Sequence, residues 1–183
     1  MMPVVLALMF VAILMIVVVA GRSDEFVVSR ATKISASAEK VFAYVNDLRK
    51  WDDWSPWAKL DPNCKVVFEG AAGPGSSMSW DGNKKVGAGK MTILESQVGD
   101  FVCLKLEFVR PFPGTSEVEF TFRPRGAETN VTWTMTGKNN FGSKVFGLFV
   151  DCEKMVARDY DRGLAALKRV VEGKQGDRLG VGV

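Results

Sequence analysis

The 183-residue sequence contains no histidine. Histidine supplies the general base of Ser-His-Asp and Cys-His nucleophilic sites, and it is a frequent ligand of zinc. Its absence excludes these mechanisms within one chain. Any proton transfer would fall to a tyrosine, aspartate, glutamate or lysine side chain.

Cysteine is scarce and dispersed. Cys64, Cys103 and Cys152 lie far apart, and none belongs to a CxxC pair. An odd number at such spacing argues against a disulfide framework and against a zinc ribbon, so we interpret all three as plain buried or half-buried thiols. We expect no metal and no cofactor.

A concentrated basic region is also missing. The net charge is +3, from 24 Lys and Arg against 21 Asp and Glu, and no stretch groups five or six basic residues. Proteins that bind nucleic acid carry such a basic patch or stripe. We therefore expect no nucleic-acid partner.

By contrast, charge is absent from a long apolar run at the N-terminus. Residues Pro3 to Ala20 include a dozen Val, Ile, Leu and Phe and no charged side chain. As a helix they would extend about 27 Å, close to the thickness of a bilayer core. At about 0.3–0.6 kcal/mol per residue, the apolar side chains favour insertion by about 4–7 kcal/mol. The sequence predicts one transmembrane helix within an anchor of residues 1–22.

A cleaved signal peptide is the alternative interpretation, because Val18 and Ala20 precede Gly21 in the pattern that signal peptidase accepts. Only two methionines precede the run, however, and the run is longer than a typical signal core. The basic residues that follow it, beginning with Arg22, favour a single-pass protein of the plasma (inner) membrane with its domain in the cytoplasm.

The domain begins with a predicted strand, rich in Val, Ile and Thr, over Glu25 to Ser35. A helix follows from the N-cap Ser37 to about Asn46. Pro56 then prevents a regular helix, so residues 51–57 form a bent connector that carries three tryptophans.

Short strands separated by turn signals fill the middle of the chain, and this spacing predicts antiparallel hairpins. We assign Gly70 to Gly75 to one of these turns, and Gly87 and Gly89 to a bulge or bend. Alternation gives the sheet one apolar face, which includes the following residues: Val102, Leu104, Leu106, Phe108, Val118, Phe120, Phe122, Val131, Trp133 and Met135.

An apolar stripe predicts a long final helix from about Ser143 to Val171. The apolar face of the sheet is the large surface available to cover that stripe, so we expect the helix to pack across it. Within this helix, we expect Gly163 to permit a close approach to the sheet. The glycine-rich tail, residues 173–183, is predicted to be disordered.

Five segments give the chain a family resemblance over about Phe26 to Val171. They are Ser35-Ala36-Ser37-Ala38-Glu39-Lys40-Val41-Phe42, Trp51-x-x-Trp54-Ser55-Pro56-Trp57, Gly87-x-Gly89-Lys90-Met91, Asn130-Val131-Thr132-Trp133 and Gly163-Leu164-x-x-Leu167-Lys168. In order and motif the chain resembles the START-like (SRPBCC) superfamily, specifically its bacterial polyketide cyclase/dehydrase and lipid-transport group.

The resemblance implies an α+β helix-grip fold, in which a curved antiparallel sheet wraps around the C-terminal helix and a ligand cavity lies between them. We accordingly assign residues 23–172 to one START-like domain, expected to be monomeric. The implied ligand is a small hydrophobic molecule, such as a lipid or a polyketide.

Aromatic side chains are the main candidates for lining such a cavity. Our predicted ligand-binding residues are Trp54, Trp57, Trp80, Phe108, Phe120, Trp133, Phe149 and Cys152. The alternative is that these rings only clamp the connector and fill the core, since each ring buries about 150–250 Å² when covered.

We predict no catalytic residue, because no acid pair stands out and alternation places Glu107 on the polar face. Binding without chemistry is the leading hypothesis. A cyclase or dehydratase that acts by shape and proximity is the alternative, and an interaction protein with a vestigial cavity is a further one.

Overall fold

The computed structural model describes residues 23–139 and 151–173, together with Pro3, Met9, Phe10, Val19, Gly21 and Lys144. Most of the predicted membrane anchor and of the predicted tail therefore lies outside the described residues. Among the described residues, no helix is long and apolar enough to cross a bilayer.

Seven antiparallel strands form one sheet in the order β1-β7-β6-β5-β4-β3-β2. Strands β2 to β7 follow one another as hairpins, whereas β1 pairs with β7 at the far edge. The strands are β1 Glu25–Ile34, β2 Lys65–Glu69, β3 Ser77–Asp81, β4 Ala88–Gln97, β5 Phe101–Arg110, β6 Gly114–Arg125 and β7 Glu128–Lys138. The predicted turns and the alternation of apolar residues are confirmed.

Helix α1, Ala38–Val45, begins where the sequence predicts. The Ser37 hydroxyl accepts a hydrogen bond from the Lys40 backbone N–H, which satisfies one of the donors left free at a helix start. The helix packs on β5, β6 and β7. A 3₁₀ helix, Leu48–Asp53, then leads into the bent connector that contains Pro56.

Helix α2, Cys152–Val171, is shorter than the predicted helix. Asp151 has non-helical backbone angles, and its carboxylate accepts a hydrogen bond from the Lys154 N–H at 3.1 Å. Asp151 is therefore an N-cap, and the prediction of one continuous helix from Ser143 is wrong at this position.

Contacts along α2 show that it runs beside β1 and in the same direction. Asp161 pairs with Arg30 at 3.3 Å, and the Lys168 amine donates to the Lys33 carbonyl at 2.7 Å. Glu172 then accepts the Ser35 backbone N–H at 2.8 Å. The sheet curves towards this helix, which confirms the predicted helix-grip arrangement.

Irregularities between β4 and β5 bend the sheet. The register shifts at Ala88/Gly89, which leaves Val109 of β5 as a bulged residue, and again at Ile93/Glu95, which leaves Leu94 of β4 as a bulged residue. Gly87 has φ +71, and a Cβ there would lie 2.4 Å from the Arg110 carbonyl oxygen. One bulge in each of two neighbouring strands increases the local twist and bend, as a sheet that closes around a helix requires.

Candidate functional site

The concave face of the sheet is built from rows of side chains that run across the strands. One row is continuous through the strand register over all seven strands: Phe26, Gly137, Ser116, Leu106, Met91, Met78 and Phe68. The next row towards the strand ends is Gly114, Phe108, Gly89, Trp80 and Val66. Ser116 is the one polar side chain in these two rows.

Burial of the concave face changes from one end to the other. Along β5 the exposed fraction is 0% at Val102 and Leu104, 7% at Leu106 and 36% at Phe108. On β6, Ser116 is 8% exposed although Phe120 is fully buried. Burial is therefore complete at the end under α1 and the connector and less complete at the other end, where Phe108 is the exposed side chain.

We call the less completely buried part of this surface the open end; Phe108 is its most exposed side chain, whereas Met91, Leu106, Ser116 and Met135 are only 6–8% exposed. Its side chains are mostly apolar and include three methionines, whose flexible thioethers adapt to irregular shapes. The open end consists of Met78, Trp80, Met91, Leu106, Phe108, Ser116 and Met135. Helix α2 presents Val156 and Cys152 towards the same end, because they precede the Tyr160 turn along β1.

Beneath the open end lies a packed aromatic cluster. The Trp133 ring is stacked between Tyr160, at 3.7 Å between centroids, and Phe120, at 4.8 Å. Trp51 and Trp54 meet Trp133 edge to face at 6.1 and 5.6 Å. The connector is thus fixed to the sheet and to α2 by ring contacts, as the clamp interpretation predicts.

Gly163 makes this close packing possible. A Cβ at Gly163 would lie 2.8 Å from Trp133 Cζ3 and 3.1 Å from Pro56 Cδ. Helix α2 therefore approaches the sheet at a point where no larger residue fits, which confirms the role predicted for this glycine.

Burial also sets the chemistry of the cluster. It raises the pKa of the Tyr160 phenol well above its usual value, and the neighbouring Trp133 indole acts in the opposite direction. The Trp133 N–H makes no hydrogen bond of good geometry. A phenol held neutral in this way is a packing element and a poor proton acceptor at neutral pH.

The predicted ligand-binding residues separate into two groups. Trp54, Phe120 and Trp133 are fully buried, so a molecule seated at the open end would lie above them. Trp57 is half-buried and meets Trp133 edge to face at 5.9 Å, and thus it lies at the boundary of the cluster. Cys152 is half-buried in the first turn of α2.

Trp80 and Phe108 form a separate pair. Their rings meet edge to face at 6.1 Å on either side of Gly89, whose missing Cβ leaves room for the Trp80 ring at 2.6 Å. Phe108 therefore contacts Trp80 near the end of β5, whereas Phe120 stacks on Trp133. Phe149 lies outside the described residues.

Sequence reasoning missed Met78 and Met91, which pair across β3 and β4 in the middle of the open end. The alternation did place Leu106 and Met135 on the apolar face. It carried no signal for which end of that face would be left accessible.

The convex face is polar, and it carries carboxylates such as that of Glu107, which the strand alternation places there. Glu107 pairs with Lys105 at 2.7 Å. Cys103 faces Glu119 on β6 and Glu95 on β4, and burial together with the neighbouring glutamates raises the pKa of its thiol. This thiol is therefore a weak nucleophile at neutral pH.

Two surface grooves carry charged side chains. One, of about 490 Å³, is lined by residues such as Lys105, Glu117 and Thr136, and it also reaches Ser116 of the open end. The other, of about 260 Å³, lies between the connector and α2 and is lined by Asp52, Arg162 and others. Their charged linings suit a hydrophobic molecule less well than the open end does.

The curved sheet, the helix that it grips and the accessible concave surface define a helix-grip protein. Residues 25–172 match the family described as polyketide cyclase / dehydrase and lipid transport. Because this match covers most of the chain, the protein belongs to that family. A comparison with curated proteins found no significant match.

Solved structures share the fold at low identity. The Aha1 dimer from Colwellia psychrerythraea is 18% identical with a TM-score of 0.61, and the match covers 82% of this chain and 99% of that one. CalU16 from Micromonospora echinospora is 13% identical with a TM-score of 0.55, covering 84% and 86%. CV1439 from Chromobacterium violaceum is 18% identical with a TM-score of 0.57, covering 81% and 97%.

Proposed function

We propose that the protein is a membrane-anchored binding module that holds a small hydrophobic molecule, a lipid or a polyketide-like compound, at the open end. The observation that carries this proposal is the rise in exposure along β5, from fully buried Leu104 to Phe108 at 36%. A mostly apolar concave surface that carries one hydroxyl has the chemistry of a hydrophobic ligand site.

Binding without chemistry is favoured over a cyclase or dehydratase reaction. In the two rows of concave-face residues described above, every residue is apolar or glycine except Ser116. The nearby carboxylate of Glu107 pairs with Lys105 on the opposite face. A general acid or base must lie within hydrogen-bond reach of the reacting group. The Ser116 hydroxyl is suited to orienting a polar group of the ligand.

The anchor is the second part of the proposal. Residues 3–20 are uninterruptedly apolar, and among the described ones Met9 and Phe10 are 56% and 68% exposed, whereas Val19 is fully buried. Exposed large apolar side chains such as those of Met9 and Phe10 are suited to contact with lipid acyl chains. The basic residues that follow the segment favour a cytoplasmic domain.

Mutation of Phe108 tests the ligand site. The exposed 36% of this side chain amounts to about 70 Å² if the ring contributes about 200 Å² in all, and covering it contributes up to about 1.8 kcal/mol. We therefore expect Phe108→Ala in residues 23–173 to weaken binding of the fluorescent probe N-phenyl-1-naphthylamine by up to about 20-fold, measured by titration.

Phe101→Ala is the matched control, because Phe101 is half-buried at the opposite end of the same strand. It should leave probe affinity within about twofold of the parent. If the parent binds no probe, or if both variants weaken binding equally, the open end is not the ligand site.

A further inference from the structure

The open end and the start of the domain lie at the same end of the strands. Through the strand register Phe26 is level with Gly137, Ser116 and Leu106, one row from Phe108. Strand β1 therefore begins at the open end. It finishes at the covered end, where Ile34 is fully buried.

The link between the apolar segment and β1 is short. Only residues 21–24 separate Ala20 from Glu25, and four fully extended residues span at most about 14 Å. The headgroup layer on each side of a bilayer is about 5–8 Å thick. The first residue of β1 therefore lies close to the lipid headgroups, whereas the other end of this ten-residue strand is about 33 Å away along the strand.

The turns at the open end have a composition that suits this position. Val109, next to the end of β5, is 61% exposed and Phe112, in the β5–β6 turn, is 55% exposed, and Lys84 and Lys85 are exposed at the neighbouring β3–β4 turn. The two turns are held together, because Arg110 pairs with Asp81 and donates to the Gly82 carbonyl. Exposed apolar side chains beside lysines match the boundary between acyl chains and anionic headgroups.

We propose that the open end faces the bilayer, with the β3–β4 and β5–β6 turns against the lipid headgroups, so that the hydrophobic molecule passes directly between the membrane and the concave face. This inference rests on the anchor in the proposed function. It adds a direction that anchoring alone does not give, since a tethered domain could also present its open end to the solvent. The partner that these two turns contact is a phospholipid surface.

The test compares two exposed valines at opposite ends of the sheet in the full-length protein. Val109 lies at the open end, and Val98, 69% exposed, lies at the β4–β5 turn of the covered end. With Cys64, Cys103 and Cys152 replaced by serine, Val109→Cys or Val98→Cys is labelled with a nitrobenzoxadiazole fluorophore. The protein is reconstituted into nanodiscs of phosphatidylcholine and phosphatidylglycerol that contain a nitroxide-headgroup lipid.

We expect the nitroxide to quench the label at residue 109 at least about fivefold more than the label at residue 98. A parallel measurement needs no substitution: amine acetylation of the unmodified full-length protein in the same discs, followed by mass spectrometry. Lys84 and Lys85 should be at least about fivefold more protected than exposed Lys33 at the covered end, each relative to its digested peptide.

Equal quenching at both sites, or equal protection of the three lysines, in protein that remains with the discs would overturn the orientation and leave anchored binding intact. Loss of the protein from the discs under alkaline washing would overturn both the orientation and the anchor. The proposed ligand site is judged separately, by the probe titration of the Phe108 and Phe101 variants.

Discussion

Replacing Gly163 by alanine should destabilise the domain, although the same change in an unobstructed helix stabilises it. Glycine in a helix interior costs about 1 kcal/mol relative to alanine, so removing it from α2 would by itself contribute that amount. The added Cβ, however, would meet Trp133 at 2.8 Å and Pro56 at 3.1 Å, whereas carbon atoms pack best at about 3.5–4.0 Å.

Neither neighbour can move away easily. The Trp133 ring is stacked on both sides, by Tyr160 at 3.7 Å and by Phe120 at 4.8 Å. Pro56 belongs to the connector that the tryptophans hold in place. Overpacking a close-packed core costs about 1–3 kcal/mol, and this rigid site should be at the upper part of that range. The expected net loss for Gly163→Ala is about 1–2 kcal/mol.

Urea denaturation of residues 23–173, followed by circular dichroism, measures this loss as a lower midpoint at an unchanged slope. Ala165→Gly is the matched control, because Ala165 is exposed on the same helix and reports the helix propensity alone. It should cost about 1 kcal/mol. If Gly163→Ala instead gains about the amount that Ala165→Gly loses, the close approach of α2 to Trp133 is not a constraint and the reasoning is refuted.

Two further predictions concern titratable groups. Burial raises the pKa of Tyr160 in the folded state. The contribution of the neutral phenol to stability is therefore complete below the unfolded-state pKa of about 10, and it is lost as the pH rises above that pKa. Relative to Tyr160→Phe, the parent should lose about 1.4 kcal/mol of unfolding free energy between neutral pH and pH 11 in urea titrations. An equal alkaline loss in both proteins would show that Tyr160 is not shielded from water. With Cys64 and Cys152 replaced by serine, Glu119→Gln should speed the alkylation of Cys103 by iodoacetamide at pH 8, because removing a neighbouring negative charge lowers the raised thiol pKa. A rate no faster than that of the distant control Glu153→Gln would contradict this cause.

Much of the fold could be predicted because its signals are local. The alternation along β5, β6 and β7 identified the buried face, and the Ser37 cap fixed the start of α1. Gly163 was identifiable because glycine in a helix interior requires a compensating reason, and a close approach is the commonest one.

The site was harder to predict because it depends on how separate elements cover one another. Alternation assigns Leu106 and Phe108 to the same face, but their different exposures follow from where α1 and the connector lie. The pairing of Trp80 with Phe108, away from Trp133, depends likewise on the register across β3, β4 and β5. The start of α2 after its N-cap Asp151 was missed, because the periodicity of apolar residues carries no signal for a cap.

The placement of β1 at the far edge of the sheet has a consequence for biosynthesis. Strand β1 leaves the ribosome before the other strands, yet Lys138, the partner of Glu25, is more than 100 residues later in the chain. At about 5–20 residues per second, β1 waits roughly 5–20 s for its hydrogen-bonding partner, whereas each hairpin from β2 to β7 can close soon after it emerges. During that interval the nascent strand is an unpaired edge, and charged side chains such as Arg30 and Lys33 are the kind that keep such edges from pairing with other chains.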